Sequence, residues 1–276
     1  GIRDGAVSSE KERLIQCMTN VNIAMSVLNK NGLGDWLADR LVEIGDTVRD
    51  DMPLRISRST NPFKDDRIKV INLPREPISV EVKDPRSGRS AEIDVKLFEE
   101  PGNVKGTRRA ISEIFKWINY VTENRLVILA ADLFDSINVE HGSLYGHFDP
   151  VENPSGARLK AAIQEAGNAS TAIGFAGQSV SLDGNEHVGV WSLSGTYGAF
   201  TPLMYLPARV WSQQNQDSPF SLGVLNILAG HSGPETAADA RTHFGIFAPQ
   251  VWKLFPRGQV ITLSFWDYND VAPGYF

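Results

Sequence analysis

The feature that most constrains the fold is an alternation of apolar runs with helix-like segments, which begins near residue 105. The clearest run, 126–131, contains no polar residue. Such runs are typical of strands buried on both faces, and strands joined through helices pair in parallel. The sequence therefore predicts an α/β domain with a mainly parallel, doubly wound sheet and helices on both faces. The predicted order is helix 109–121, strand 126–131, helix 157–182, strand 187–193, a further helix, strand 223–229, a helix near 244–254 and strand 260–265.

The residues before this alternation have a different pattern, which predicts two helices and a β-hairpin. Apolar residues recur at three- and four-residue steps up to about residue 52, with a break at Gly32. Each apolar stripe is expected to pack against a neighbouring element. Strict alternation in 78–82 and 93–97, with turn-forming residues between them, predicts the hairpin. The expected division is an N-terminal linker segment, 1–104, and a main domain, 105–276.

The composition excludes several classes of function. The 276 residues carry a formal net charge of -6, which gives no basic footprint for nucleic acid or an anionic membrane. The single cysteine, Cys17, excludes an internal disulfide and a cysteine metal cluster, and it fits a reducing compartment. No apolar run reaches the roughly 18 residues that a membrane span requires. We therefore expect a cytoplasmic protein with neither nucleic acid nor membrane as a partner.

The two ends of the sequence indicate a piece of a longer polypeptide. The chain begins Gly-Ile-Arg rather than with methionine, and it stops at Phe276 shortly after a strand-like run. A complete doubly wound domain would carry another strand. The sheet is therefore expected to be truncated at its C-terminal side.

Polar residues follow two of the predicted strands. Asp132 and Ser136 come after one strand, and His231 and Ser232 come after another. Ligands of open α/β sheets bind beyond the carboxyl ends of the strands. These residues therefore predict a ligand crevice at that edge.

A glutamate in the predicted helix 157–182 has a distinctive context. Ile163 lies two positions before Glu165, and Gly167 lies two positions after it. On position alone, a solvent-facing glutamate is the ordinary interpretation. The segment nevertheless resembles the one in transketolases and homodimeric 2-oxoacid dehydrogenases that ends in the glutamate activating thiamine diphosphate. The resemblance implies that Glu165 hydrogen-bonds the aminopyrimidine ring of the cofactor and shuttles a proton.

The same resemblance has a second register. Residues 174–177 can also be aligned with the glutamate segment of the family, which would put Gly177 where the acid belongs. The Glu165 register keeps both flanking residues and needs only a few extra residues before Ser181. We therefore prefer Glu165.

Two histidines follow the predicted strand 223–229. Asp239 lies eight residues and His243 twelve residues beyond His231. Isolated histidines are usually ordinary surface or core residues, but these offsets match a His-Asp-Ser sequence of transketolases that is followed by Asp and then Thr-His. The resemblance implies that His231, Asp239 and His243 line the substrate channel, where both histidines assist proton transfer. Residues 233–235, Gly-Pro-Glu, depart from the family and leave the substrate open.

Two further segments resemble the phosphate-binding parts of transketolases. They are the pair Arg108-Arg109 and the Ala-Asp-Leu segment that leads to Ser136. The resemblance implies that Arg108 or Arg109 and Ser136 bind the phosphate of a sugar phosphate, and that Asp132 contacts the cofactor. An exposed basic pair and a helix cap are open alternatives.

Two aromatic residues follow the predicted strand 187–193. In the family, rings at this place lie against the aminopyrimidine, and stacking adds about 0.5–1.5 kcal/mol beyond area burial. The resemblance therefore implies that Tyr197, or failing that Phe200, contacts the cofactor. Core packing is an equally open interpretation for either ring.

Motifs that would hold the diphosphate are absent from the sequence. It contains no Gly-Asp-Gly metal-binding sequence of the family, no Gly-Lys-Ser/Thr phosphate loop and no dinucleotide glycine motif. The Mg²⁺ or Ca²⁺ that anchors the diphosphate is therefore expected from another domain. The resemblance then implies the central, pyrimidine-binding domain of a homodimeric transketolase-like enzyme, which transfers a two-carbon ketol unit between sugar phosphates. This chain would supply the aminopyrimidine half-site only and would be inactive in isolation.

Two other functions stay open. The Ile-x-Glu-x-Gly form around Glu165 favours the decarboxylating first component of a 2-oxoacid dehydrogenase. A non-catalytic interaction or regulatory domain that kept the fold is the third possibility.

Overall fold

The computed structural model separates the chain into two compact units, Gly1–Arg55 and Ile56–Phe276. The boundary expected at 104/105 therefore falls inside the second unit, because the β-hairpin packs into the core of that unit. The described residues are 2–3, 6–7, 10–51, 61–84, 86–131, 134–182, 185–216, 218, 221, 223–230, 248–255 and 260–276.

The first unit contains the two helices predicted for it, α1 (Glu10–Leu28) and α2 (Leu33–Asp51). A 3₁₀ turn, Lys30–Gly32, separates them, and Gly32 has a φ of 71°, which glycine adopts without strain. A short antiparallel ribbon pairs β1 (Ile2–Arg3) with β2 (Ala6–Val7).

The apolar stripes of α1 and α2 are exposed, although the sequence predicts that they pack. Met18 and Val21 on α1 and Trp36 and Leu41 on α2 are all exposed. Neither stripe is covered within the described part of this unit. The predicted packing is therefore not seen for these residues.

The predicted β-hairpin is confirmed. Strand β3 (Ile78–Lys83) pairs antiparallel with β4 (Ser90–Val95). At the turn, the carboxylate of Asp84 accepts the backbone N–H groups of Arg86 and Ser87, which closes the loop. The inward residues Ile93, Val95 and Leu97 are buried in the main core.

A three-stranded parallel sheet forms the centre of the second unit. Its order is β5 (Leu126–Ala130), β8 (Trp191–Tyr197) and β9 (Leu225–Gly230), so β8 is the central strand. Two shorter strands, β6 (Val180–Leu182) and β7 (Asn185–His187), form a separate antiparallel ribbon. The predicted α/β class and parallel sheet are therefore confirmed.

Helices cover both faces of this sheet. Leu126, Ile128 and Leu193 pack in one core with α3 (Thr107–Val121) and α6 (Tyr268–Tyr275). Val127 and Leu129, which alternate with them along β5, pack on the opposite face against the helix α4 (Glu165–Ala176). Helix α4 (Glu165–Ala176) presents small, fully buried residues to the sheet, which lets it lie close to β8: Ala169, Ala172 and Ala176.

Helix α4 is shorter than the predicted helix 157–182. The backbone of this segment instead runs beside β5: Ile128 N–H donates to Ala157 O over 2.8 Å, and Leu159 N–H donates to Ile128 O over 2.9 Å. Because these residues use their backbone groups in pairing with a strand, the helix cannot begin before they end. It begins at Glu165 and ends before Gly177.

Two strand predictions are also corrected. The strand predicted at 187–193 begins at Trp191 and continues to Tyr197, because 185–187 belong to the separate ribbon. The segment 260–265 forms no strand, and Ile261 is exposed. An apolar pattern gives a strand only where a partner edge is available, so this prediction is wrong.

The remaining elements connect these layers. Helix α5 (Tyr205–Gln216) follows a 3₁₀ segment, Gly198–Met204, and another 3₁₀ segment, Ala248–Leu254, lies in the region of the helix predicted near 244–254. Within the described ranges, no helix combines the length and the apolar character needed to cross a membrane.

Candidate active site

Glu165 is a buried acidic side chain at the carboxyl edge of the sheet. It is the first residue of α4 and only 8% exposed. Thr196, one residue before the end of β8 and 1% exposed, donates a hydrogen bond from Oγ1 to Glu165 Oε1 over 3.1 Å. The carboxylate therefore faces the end of the central strand, and the solvent-facing interpretation of Glu165 does not apply.

The local sequence explains how the chain enters α4 at Glu165. Asn168 Nδ2 donates to Ala162 O over 3.0 Å, which fastens the first turn to the residues before it. A Cβ on Gly167 would lie 2.9 Å from Gln164 Oε1, so glycine leaves room for the glutamine side chain. The positive end of the helix dipole also favours an acid at this position. Ile163, by contrast, is 84% exposed.

A row of hydroxyl groups lies along β8 on the face covered by α4. Ser192, Ser194 and Thr196 occupy alternate positions of the strand, so their side chains share this face. All three are buried. The hydroxyl oxygens of Ser192 and Ser194 have no hydrogen-bond partner among the described residues. Thr196 differs from them because it is bonded to Glu165.

The turn that carries Ser136 lies over the carboxyl ends of β8 and β9. A Cβ on Gly195 would come within 2.5 Å of Ile137 Cδ1, and a Cβ on Gly230 would come within 3.0 Å of Ile137 Cγ2. Two glycines therefore admit the Ile137 side chain. Gly195 and Thr196 are adjacent in β8, so they face opposite sides of the sheet. The turn that carries Ser136 therefore reaches the carboxyl edge from the face opposite to that of Glu165.

A cluster around Phe134 supports this turn, and sequence reasoning missed it. The Arg158 guanidinium lies 5.6 Å from the centre of the Phe134 ring, and the His147 ring meets it edge-on at 5.2 Å. Burial and the nearby Arg158 charge lower the pKa of His147. Burial also lowers the pKa of Arg158, against the charge of Glu140, whose Oε1 lies 3.9 Å from Arg158 Nη1. No local pattern signals this cluster, because it forms between segments that pair only in the folded chain.

The other predicted residues within the described ranges lie less close to Glu165. Arg108 and Arg109 are exposed in the first turn of α3, which covers the face opposite α4. Tyr197 ends β8, and strand alternation directs its side chain away from the face that Thr196 shares with Glu165. Phe200 is partly buried in the 3₁₀ segment Gly198–Met204.

Several predicted site residues lie outside the described residues: Asp132, His231, Asp239 and His243. Strand β9 ends at Gly230, immediately before His231 in the sequence. Gly177, the position of the second register, follows the last turn of α4, where its N–H donates to Ile173 O. A helix of 12 residues places it about 18 Å from Glu165, at the other end of α4.

A separate open groove of about 560 Å³ lies at the amino end of β5. Its walls carry both signs of charge, including the ion pair between Arg67 Nη2 and Asp65 Oδ2 at 2.8 Å. None of the residues predicted to bind a ligand lines it. Across the residues that the structure describes, no group of three or more His, Cys, Asp or Glu side chains is arranged to hold a metal ion.

Comparisons of the chain with protein-family models, with curated proteins and with solved structures give no match.

Proposed function

We propose that this chain is the pyrimidine-binding part of a transketolase-like thiamine diphosphate enzyme, which transfers a two-carbon ketol unit between sugar phosphates. The observation that carries the proposal is the burial of Glu165 at the start of α4, against the carboxyl end of the central strand. Ligands of open α/β sheets bind at this edge. An ionisable group buried there has few structural uses, since burying a carboxylate opposes folding unless its oxygens are hydrogen-bonded.

The residues present fit the aminopyrimidine end of the cofactor. Thr196 donates a hydrogen bond to Glu165 Oε1, and no described residue hydrogen-bonds Oε2. A carboxylate oxygen accepts a hydrogen bond from a protonated ring nitrogen, so Glu165 would hold the ring and move a proton at Oε2. When bound, thiamine diphosphate supplies a carbon nucleophile that breaks and forms bonds next to carbonyl groups.

The roles proposed for the other site residues rest on the resemblance of the sequence to transketolases. His231 and His243 would contact substrate oxygens and move protons, with Asp239 beside them, while Asp132 and an aromatic ring would contact the cofactor. Arg108 or Arg109 and Ser136 would bind phosphate. The position of Ser136 at the carboxyl edge supports its part in this set. Mg²⁺ or Ca²⁺ and the diphosphate would be held by another domain, in a cytoplasmic homodimer.

Replacing Glu165 by Gln in the protein as it is naturally expressed tests the proposal. The substrates are xylulose 5-phosphate and an aldose phosphate, with added thiamine diphosphate and Mg²⁺. We expect kcat to fall by about 10²–10⁴-fold, the range of general acid–base catalysis. Glu152→Gln is the matched control, since Glu152 is exposed and should leave kcat unchanged.

The same experiment separates the alternatives. Release of CO₂ from a 2-oxoacid in place of ketol transfer would identify the first component of a 2-oxoacid dehydrogenase. A wild-type protein with no thiamine diphosphate-dependent reaction, or a Glu165→Gln protein as active as wild type, would contradict the proposal. A non-catalytic domain would then be the better interpretation.

A further inference from the structure

We infer that Thr196 is a positioning residue, which holds the carboxylate of Glu165 in the orientation that proton transfer requires. This inference rests on the proposed function of Glu165. It starts from the 3.1 Å hydrogen bond between Thr196 Oγ1 and Glu165 Oε1, both of which belong to buried residues.

Thr196 is held rigidly by the sheet. Strand β8 is paired on both sides, with β5 and β9, and Thr196 lies opposite Ala229 in that register. A threonine side chain branches at Cβ, which restricts its χ1 angle. The hydroxyl therefore provides a fixed point to which the longer and more flexible glutamate is attached.

The direction of the hydrogen bond defines what Thr196 does. An ionised carboxylate only accepts, so the hydroxyl donates its single proton to Oε1. Because Oε1 is occupied, the other oxygen, Oε2, is the one presented to a ligand at the carboxyl edge.

The neighbouring serines show that this contact is specific to position 196. Ser194 lies two residues earlier on the same face of β8 and is equally buried, yet its hydroxyl has no partner among the described residues. Removing the hydroxyl of Ser194 therefore reproduces the chemical change at Thr196 without touching Glu165. This makes Ser194→Ala a matched control.

Three variants of the naturally expressed protein test the inference. For Thr196→Val, which keeps the shape but lacks the hydroxyl, we expect kcat to fall by up to about 100-fold, as for a misplaced catalytic group. KM for the sugar phosphate should change little, so that the effect falls on kcat. Thr196→Ser should recover most of the activity, and Ser194→Ala should behave as wild type. If Thr196→Val has the kcat of Ser194→Ala, the inference is overturned.

A second measurement tests the coupling between Thr196 and Glu165 even where the proposed function fails. If the wild-type protein has no thiamine diphosphate-dependent activity, the chemical unfolding midpoint is compared for Thr196→Val in wild type and in a Glu165→Ala background. A hydroxyl that acts through Glu165 lowers the midpoint on removal only when the carboxylate is present. Equal losses in both backgrounds would show that Thr196 does not act through Glu165.

Discussion

Ile137 lies over the bare Cα of Gly195, so that a Cβ on this glycine would come within 2.5 Å of Ile137 Cδ1. The contact fixes the turn that follows β5 against the central strand. We expect Gly195→Ala to destabilise the protein by about 1–3 kcal/mol, the usual effect of overpacking a well-packed core. Urea unfolding measures the change.

Gly174→Ala is the control for this prediction. Gly174 lies inside α4, and a Cβ there meets nothing within 4 Å. Alanine should therefore stabilise the helix by up to about 1 kcal/mol. Adding Ile137→Val, which removes Cδ1, should recover part of the Gly195→Ala loss. Equal effects of the two glycine substitutions would contradict the packing argument.

Local sequence patterns predict the elements whose conformation is set mainly by their own residues. Alternation gave the hairpin, and continuous apolar runs gave β5 and β9 within a residue or two. The local pattern does not reveal the start of α4, because residues 157–159 pair with β5, about thirty residues earlier in the chain. Apolar residues at 260–265 do not show whether a strand edge is available, so the strand predicted there was wrong.

The site shows the same division. The residues that flank Glu165 single it out through a resemblance, and the structure shows that its side chain is buried. Its partner Thr196 was missed, although Ser192, Ser194 and Thr196 at every second position could have signalled a hydroxyl-bearing face. Which of these hydroxyls meets the carboxylate depends on how α4 is placed on the sheet, and that is a property of the packing.

Asn119 links α3 to the first residue of β5. Its Nδ2 donates to Leu126 O over 3.1 Å and to Gly142 O over 2.7 Å, and its Oδ1 accepts from Leu126 N over 2.7 Å. All these groups are buried. Asn119→Ala should therefore destabilise the protein by about 3 kcal/mol or more, because each unpaired buried group costs about 1–3 kcal/mol.

Asn72→Ala is the comparison for Asn119. Asn72 also makes a side-chain hydrogen bond, from Nδ2 to Asp66 O over 2.9 Å, but this residue is exposed. In the alanine variant, water can donate to Asp66 O in place of the missing amide. Asn72→Ala should lower the free energy of unfolding by no more than about 0.5 kcal/mol, the usual range for surface changes. Denaturant unfolding of both variants checks the difference, and similar losses would argue against the buried link.

Phe63 stacks on Trp191, the first residue of β8. Their ring centres are 4.0 Å apart and the rings are inclined by 8°. Phe63→Ala should destabilise the protein by about 3–5 kcal/mol, since it removes a buried ring and leaves a cavity. Ile71→Ala is the control, because Ile71 is almost fully exposed and should change stability little. Thermal unfolding of the two variants measures the contrast, and a small effect at Phe63 would contradict the packing.

Asp84 makes the stability of the hairpin depend on pH. Burial opposes ionisation of this carboxyl, but hydrogen bonds from Ser155, Ser87 and two backbone N–H groups outweigh it and lower the pKa from 3.8 to about 2. The bond from Ser155 Oγ to Asp84 Oδ1, at 2.6 Å, ties the hairpin turn to a loop 71 residues later. A lowered pKa in the folded state stabilises the protein above pH 3.8, and this stabilisation is lost as the pH falls through about 2.

Asp84→Asn tests this dependence. At pH 7 we expect the free energy of unfolding to fall by about 2 kcal/mol, because hydrogen bonds to a charged group are replaced by weaker ones. The difference from wild type should shrink between pH 4 and pH 2, where the wild-type carboxyl takes up its proton. Asp94→Asn, at an exposed position of β4, is the control and should change the stability little at pH 7. Urea unfolding of the three proteins at pH 7, 4 and 2.5 measures the effect. A constant loss for Asp84→Asn at all three pH values would show that the hydrogen bonds do not depend on ionisation of Asp84.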